Sequence, residues 1–269
     1  MKLLRVSSLI KQYPAFQLDN VSFEVSAGEI VGFIGRNGAG KTTTLKSLMG
    51  FVHPDGGAVE FFGGVRADEI KQRVGFVSGG ISHYPTVKLR TMTDVTRRFY
   101  THWDEASYRR YLSEFSLDEN KTPSQLSEGM KVKYSLALAL SHGAELLILD
   151  EPTSGLDPVS RDELLDVLLC LRDRGVGILF STHIITDLER AADRIVYIRN
   201  GRIYADAPLT EFERAYRIVE LAAKPEQADR YIGIRRQRDG YTALVRDDGN
   251  TGRPARLEEI MLHMEREEI

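Results

Sequence analysis

The sequence predicts an α/β protein built on a mostly parallel core sheet, with an antiparallel β subdomain, a helical subdomain and a small C-terminal α+β appendage. Short apolar runs that end in glycine, acidic residues or histidine are typical of buried parallel strands. From about residue 86 to 142 the apolar side chains recur at three- and four-residue spacing, which indicates helices. We therefore expect a main domain over residues 1–216, with a helical insert at about 86–142, and an appendage over residues 217–269.

The bulk composition is that of an ordinary globular chain. It has 269 residues, 42% of them hydrophobic, and a formal net charge of −3, so charge suggests neither nucleic acid nor an anionic membrane as a partner. No apolar run approaches the ~18–20 residues that cross a bilayer, and MKLLRVSSLI is too polar for a secretory signal, so we expect a soluble, cytoplasmic chain. The single cysteine, Cys170, excludes an intrachain disulfide, and we expect it to be buried in an apolar helical run.

The N-terminal segment has the pattern of half-buried antiparallel strands. Apolar and polar side chains alternate over residues 3–34, and Ala27-Gly28 forms a turn before the last of these strands. Tyr13 lies on the predicted loop between two strands. An exposed aromatic ring there could stack on a nucleotide base, although a tyrosine near a turn is more often structural.

A phosphate-binding loop follows this segment. Residues 35–42 read GRNGAGKT and match GxxxxGK[ST], with a strand-type run before them and a helical start after them. Glycines let several backbone N–H groups converge on one phosphate, Lys41 reaches the β- and γ-phosphates, and the Thr42 hydroxyl serves Mg²⁺. The residues expected to bind the nucleotide here are Gly35, Arg36, Asn37, Gly38, Ala39, Gly40, Lys41, Thr42 and Thr43.

The middle of the chain contains two further strands and the helical insert. We expect strands at 59–62 and 74–77, followed by the helical pattern. The segment Leu126-Ser127-Glu128-Gly129-Met130 comes before an apolar helical face, and Ser127 is a plausible N-cap.

Two adjacent carboxylates close a continuous apolar run. Residues 145–149 predict a strand buried on both faces, and Asp150 and Glu151 stand at its end, where ligand-facing side chains of parallel sheets lie. In phosphoryl transfer one such acid holds Mg²⁺ and the next orients and deprotonates the attacking water. The alternative is a polar strand end that faces solvent. Asp157-Pro158 then predicts the start of a helix that runs to about Arg174.

His183 directly follows another predicted core strand, at residues 176–182. A lone histidine is usually structural, but this position favours a contact with the γ-phosphate. A hairpin around Asn200-Gly201 is expected to complete the sheet.

The appendage lacks a chemical motif. We expect a strand at 218–221, a hairpin around Asp239-Gly240 and a charged helix over 257–268. The apolar face of this helix predicts docking onto the chain's own body.

The ordered motifs resemble the nucleotide-binding subunit of an ABC transporter, over roughly residues 1–215. The segments that carry the resemblance are residues 35–42, 126–129, 147–151 and 154–157, together with His183. The resemblance implies the P-loop NTPase fold of ABC type, with ATP held between the phosphate loop of one subunit and the LSEG segment of a second. It implies that Ser127, Gly129 and Asp157 belong to the nucleotide site.

The same resemblance assigns the remaining roles. It implies Glu151 as the catalytic base, His183 as the γ-phosphate sensor and Tyr13 as the adenine-stacking aromatic. It also implies that Asp150 and Thr42 serve Mg²⁺.

The resemblance also implies partners. LSEGM followed by Lys131 is similar to export-type subunits, including the drug, bacteriocin and acetoin-operon branch of ABC-2 systems. We expect an ATPase that powers a separately encoded exporter, with transmembrane permease subunits and a second ABC subunit, identical or different, as partners. It would be peripheral on the inner face of the cell membrane. One alternative is a soluble ABC ATPase acting on ribosomes or DNA. The other is an ATP-binding regulatory module with weak hydrolysis.

Gly79 departs from the family pattern. Family members usually carry glutamine or an acid there, and that side chain joins the magnesium site and responds to the membrane subunits. Ser78, Ser82 or His83 could substitute for it. Because two glycines adjoin, we expect a flexible loop and slow basal hydrolysis.

Gly79→Gln should therefore raise basal ATP turnover. A missing water- or metal-orienting contact is worth a few kcal/mol in the transition state, or roughly 10²-fold in rate. Turnover is measured on the isolated chain and again with its membrane partner in lipid. Unchanged rates in both settings would contradict this account of Gly79.

Overall fold

The computed structural model describes residues 1–78, 84–225 and 227–265. The chain forms two compact units, one of residues 1–183 with 191–206 and one of residues 184–190 with 207–269. The boundary predicted between 216 and 217 from sequence texture stays a prediction.

The chain alternates strands and helices. The strands are β1 (Lys2–Tyr13), β2 (Phe16–Ser26), β3 (Ile30–Ile34), β4 (Gly56–Phe61), β5 (Val74–Ser78), β6 (Leu146–Asp150), β7 (Gly177–Thr182), β8 (Arg194–Arg199), β9 (Arg202–Pro208), β10 (Tyr216–Leu221), β11 (Gly233–Gln237), β12 (Gly240–Arg246) and β13 (Arg253–Pro254). The helices are α1 (Lys41–Leu48), α2 (Ala67–Arg73), α3 (Leu89–Thr96), α4 (Glu105–Glu114), α5 (Glu128–Ser141), α6 (Pro158–Asp173), α7 (Ile185–Ala191), α8 (Leu209–Arg214) and α9 (Leu257–Met264).

The core of the first unit is a six-stranded sheet with the order β5-β6-β7-β3-β8-β9. The pairings from β5 through β8 are parallel, so these strands end at the same edge of the sheet. Every residue of β3, β6 and β7 is buried, as expected of strands covered on both faces. The predicted parallel core is confirmed, and its carboxyl edge is where the phosphate loop, Asp150 and His183 emerge.

A three-stranded antiparallel sheet, ordered β2-β1-β4, packs into the same core. Alternate side chains of β2 are buried, including Leu18, Val21 and Phe23. The ring of Phe23 stacks on Phe33 of β3 with 5.4 Å between centroids. The two sheets of the first unit therefore share one apolar core.

Helices α3, α4 and α5 lie between β5 and β6 in the chain. Helix α5 buries the predicted apolar face, which consists of Val132, Leu136, Ala139 and Leu140. Ser127 is its N-cap, since its hydroxyl accepts a hydrogen bond of 3.2 Å from the backbone N–H of Met130. Asp157 caps α6 in the same way, with Pro158 as the first helical residue.

The second unit contains a four-stranded antiparallel sheet with the order β11-β12-β10-β13. The predicted hairpin around Asp239-Gly240 is present between β11 and β12. Helix α9 buries its predicted apolar face, which consists of Leu257, Ile260, Met261 and Met264. The predicted end of this helix, near residue 268, lies outside the described residues.

The expectation that Cys170 is buried is wrong, because the residue is exposed. Helix α6 buries Leu164, Leu165, Leu168 and Leu171. At about 100° per residue, position 170 lies on the opposite side of the helix from these leucines. Within the described part of the chain, no helix combines the length and the apolar character that crossing a membrane requires.

The exposed thiol of Cys170 should react with an aromatic disulfide reagent in native buffer. We expect the same extent of labelling before and after denaturation, because no unfolding is needed to reach the sulfur. Cys170→Ser is the control and should not react. Labelling that appears only in denaturant would show that the side chain is covered in solution.

Candidate active site

The phosphate loop runs from the end of β3 to the first residue of α1. Gly40 has φ +114°, and a Cβ on it would lie 2.6 Å from Leu18 Cδ2 and 2.9 Å from Phe16 Cζ. Gly38 is also left-handed, at φ +85°. Glycine is therefore needed at both positions. Because Gly40 offers no side-chain cap, the first N–H groups of α1 are left for an anion.

Lys41 lies folded back over this loop. Its side chain is only 5% exposed, and Nζ donates to the carbonyl oxygens of Gly35, at 2.6 Å, and Arg36, at 3.3 Å. Nζ also lies 3.4 Å from Glu151 Oε1. These partners compensate the burial of the ammonium group and hold it at the centre of the loop.

Asp150 is joined to Thr42 and Ser181. Its Oδ1 accepts hydrogen bonds from Thr42 Oγ1 at 3.2 Å and from Ser181 Oγ at 2.7 Å. A hydroxyl oxygen beside a carboxylate oxygen suits Mg²⁺, which proteins bind through one or two carboxylates together with phosphate and water. The donor set therefore fits the ion. Among the described residues no cluster of three or more His, Cys, Asp or Glu side chains forms an all-protein metal site.

Glu151 turns away from Asp150 at the end of β6. Its φ of +53° is uncommon for a residue with a side chain. Its backbone N–H is held by Ser181, through Oγ at 3.0 Å and the carbonyl oxygen at 3.2 Å. Its Oε2 lies 2.6 Å from His183 Nδ1, so the carboxylate lies between Lys41 and His183. A strained backbone that places a polar group in this way is typical of an active site.

A cavity of about 630 Å³ opens at these residues. The residues that line it are Ala15, Phe16, Arg36, Asn37, Gly38, Gly40, Lys41, Thr42, Thr43, Glu151, Ser154 and His183. Nine of these were predicted from sequence, so one concave surface brings most of the predicted nucleotide residues together. A second cavity of about 750 Å³ shares Ala15, Phe16 and Gly38 with it.

Four site residues were not singled out from the sequence. Ala15, Phe16 and Ser154 line the cavity, and Ser181 donates to the Asp150 carboxylate and accepts the backbone N–H of Glu151. Ser154 belongs to the motif segment 154–157, and Phe16 is an aromatic beside the turn after Tyr13. The sequence around each of them could therefore have identified it. Ala15 and Ser181 had none, because only tertiary pairing brings them to the site.

Several predicted site residues lie away from the lining. Tyr13 ends β1, is 43% exposed and has Lys11 Nζ 5.7 Å from its ring centroid, whereas Phe16 is the aromatic that lines the cavity. Gly35 contributes its carbonyl to Lys41. Ala39 accepts the backbone N–H of Gly201.

Asp157 is occupied as a helix cap. It accepts hydrogen bonds from the Ser160 hydroxyl at 2.6 Å and from the N–H groups of Val159 and Ser160, and these bonds lower the pKa of its carboxyl group. The residue is not among those that line the cavity. In this structure Asp157 therefore acts as the N-cap of α6.

Ser127 and Gly129 lie at the N-terminus of α5 and do not line the cavity either. Ser127 is exposed, whereas Gly129 is buried. A Cβ added to Gly129 would lie 3.4 Å from Ser160 Cβ. The exposed helix start presents N–H groups and a hydroxyl to the outside of the chain.

Gly79, Ser82 and His83 lie outside the described residues. Ser78 is exposed at the end of β5 and pairs in register with Asp150. Ser78 is therefore the described candidate substitute for Gly79, and it lies next to Asp150 along the sheet edge.

Comparisons with known proteins agree with this geometry. A family model described as ABC transporter matches residues 18–154. The chain is 40% identical over 215 residues to Nod factor export ATP-binding protein I of Burkholderia lata, covering 76% of this chain and 71% of that protein. It is 31% identical over 222 residues to bacitracin transport ATP-binding protein BcrA of Bacillus licheniformis, covering 80% and 72%.

Solved structures show the same fold. The chain is similar to the ATP-binding subunit of an ABC transporter, with 34% identity and a TM-score of 0.70 over 79% of this chain and 92% of that one. An ABC transporter cassette in its ADP conformation, at 22% identity and a TM-score of 0.66, shares the fold over 78% of this chain and 92% of that one. The expected P-loop NTPase fold of ABC type is confirmed. The chain belongs to the ABC transporter family and carries its ATP-binding domain.

Proposed function

We propose that this chain is the ATP-binding and ATP-hydrolysing subunit that powers a separately encoded membrane exporter. The observation that carries the proposal is the Glu151 carboxylate, which lies between Lys41 and His183 on the wall of the phosphate cavity. The names of the relatives, for Nod factor export and bacitracin transport, support export. A purely regulatory ATP-binding module would not need this acid and histidine in contact.

Binding of ATP is assigned to the loop and to α1. Lys41 would exchange its hydrogen bonds to loop carbonyls for oxygens of the β- and γ-phosphates, and the N–H groups at the start of α1 would complete the anion site. Thr42 and Asp150 would hold Mg²⁺, which supplies positive charge against the phosphate oxygens when it is bound.

Hydrolysis is assigned to Glu151 and His183. The Glu151 carboxylate would orient a water molecule towards the γ-phosphate and accept its proton as the bond from the water oxygen to phosphorus forms. The bond from phosphorus to the β–γ bridging oxygen would break in the same step, and ADP would be the leaving group. With Nδ1 donating to Glu151, the Nε2 of His183 would donate a hydrogen bond to the γ-phosphate when both ring nitrogens carry hydrogen. The close contact between the two side chains fixes the direction of the carboxylate.

A second subunit is needed to complete the site. Ser127 and Gly129 do not line the cavity of their own chain, and the N-terminus of α5 is exposed. We propose that α5 of a second ABC subunit, identical or different, closes over the nucleotide. The pair would be cytoplasmic and held at the inner face of the membrane by its permease.

Lys41→Ala should abolish ATP binding at micromolar nucleotide, because the cation that faces the β- and γ-phosphates is lost. Lys46→Ala is the matched control, since Lys46 is an exposed lysine of the same helix. Isothermal titration calorimetry gives the affinities, and thermal unfolding checks the fold. An affinity that is the same in Lys41→Ala and in the unaltered chain would overturn the assignment.

Glu151→Gln should trap a dimer with ATP and Mg²⁺, because binding is kept while the base is lost. Size-exclusion chromatography with light scattering measures the mass. In that background Ser127→Arg should block the dimer and leave ATP affinity intact, whereas Ser113→Arg, at an exposed serine of α4, should change neither. If only monomer appears with saturating ATP, the sandwich of two identical chains is wrong.

A further inference from the structure

Three buried hydroxyl groups meet where α3, α4 and α5 pack together. Thr93 Oγ1 lies 2.8 Å from Tyr108 OH and 2.8 Å from Tyr134 OH, and each helix supplies one of the three residues. Thr93, Tyr108 and Tyr134 are 3%, 1% and 0% exposed. Burial raises the pKa of both tyrosines, so the cluster stays neutral and its hydrogens stay in place.

The direction of each hydrogen bond in this cluster follows from one contact. Tyr134 OH donates to the carbonyl oxygen of Leu89 at 3.0 Å, which uses its only hydrogen. Thr93 must then donate to Tyr134, and Tyr108 must donate to Thr93. The hydroxyl relay, which we define as Tyr108, Thr93, Tyr134 and the carbonyl of Leu89, therefore has one satisfied arrangement.

The start of α3 is also tied to the segment that leads into Ser127. The N–H groups of Leu89 and Arg90, which have no partner within their own helix, donate at 2.9 Å to the carbonyls of Lys121 and Glu119. Ser124 donates its N–H to the carbonyl of Pro85 at 3.2 Å. Leu89 thus binds Lys121 through its N–H group and Tyr134 of α5 through its C=O group.

We propose that Thr93 and Tyr134 are positioning residues for Ser127 in the neighbouring subunit's nucleotide site. The relay fixes α5 on α3 two helical turns beyond Ser127. The backbone bonds fix the segment just before Ser127 on the start of α3, and Leu89 takes part in both. Both sides of Ser127 are thereby held by α3, whose buried residues are Leu89 and Thr93. This inference rests on the proposed function, because Ser127 acts on ATP only across two subunits.

Apolar packing alone would not require these hydroxyls. A buried hydroxyl is costly unless every partner is present, and a fully satisfied buried network specifies one geometry. The ring of Tyr111 shows the contrast, because it is also buried on α4 but packs on Phe115 and Arg110.

The test compares Thr93→Val with Thr93→Ser in the Glu151→Gln background. Valine keeps the shape and loses the relay, whereas serine keeps the hydroxyl and loses a methyl group. We expect Thr93→Val and Tyr134→Phe to raise the protein concentration at half-dimerisation with ATP by about tenfold, the size expected for an unsatisfied buried group. Thr93→Ser and the matched control Tyr111→Phe should stay within about twofold of the Glu151→Gln parent.

ATP affinity of the monomer, measured at concentrations below dimerisation, should be equal in all variants. Amide hydrogen exchange of residues 128–131 without nucleotide should be faster in Thr93→Val and Tyr134→Phe, and unchanged in β6.

Two results would overturn the inference. The first is a Thr93→Val variant that dimerises as strongly as the Glu151→Gln parent. The second is a Thr93→Ser variant that dimerises more weakly than Thr93→Val, which is the order expected from packing alone. If the Glu151→Gln parent itself stays monomeric, the sandwich of two identical chains fails, and with it the role of the relay in a site formed by two copies of this chain. Tyr134→Phe gives an independent reading if Thr93→Val does not fold.

Discussion

The hydroxyl of Ser181 is the contact on which the arrangement of the site depends. It donates to Asp150 and accepts the backbone N–H of Glu151, so one side chain of β7 fixes both acids at the end of β6. In a regular strand, neighbouring side chains point to opposite faces of the sheet. Here the chain turns into the left-handed region at Glu151, which costs of order 1–3 kcal/mol and persists because Ser181 holds it. Asp150 is thereby directed to Thr42, and Glu151 to Lys41 and His183.

The charges at this edge are arranged for an anionic ligand. Lys41 is nearly buried, and its ammonium group is satisfied by two loop carbonyls and the Glu151 carboxylate. These contacts make the group available without leaving a bare charge in the interior. The glycines of the loop have no side chains to obstruct an approaching phosphate, and the dipole of α1 adds to the attraction.

The two halves of the proposed composite site depend on different interactions. The catalytic half is fixed by strand register, since Asp150 and Ser181 are paired residues of adjacent parallel strands. The Ser127 half is fixed by helix packing, through the bonds of Leu89 to residues on both sides of Ser127. Either half could therefore be disturbed without the other, so the proposal makes ATP binding by one chain and pairing of two chains separable properties.

The sequence by itself determined the features that local chemistry controls. The phosphate loop, the caps at Ser127 and Asp157, and the buried strand that ends in two acids depend on a few adjacent residues, so their patterns predicted them. Only the tertiary structure decided which distant groups meet, as for Ser181 with Asp150, Phe16 with the cavity, and Thr93 with Tyr134. It also decided that Cys170 faces outward, because an apolar run does not state which side of a helix the core covers. The physical reason is that hydrogen-bond partners far apart in the chain are set by strand register and helix packing, which leave no local signature.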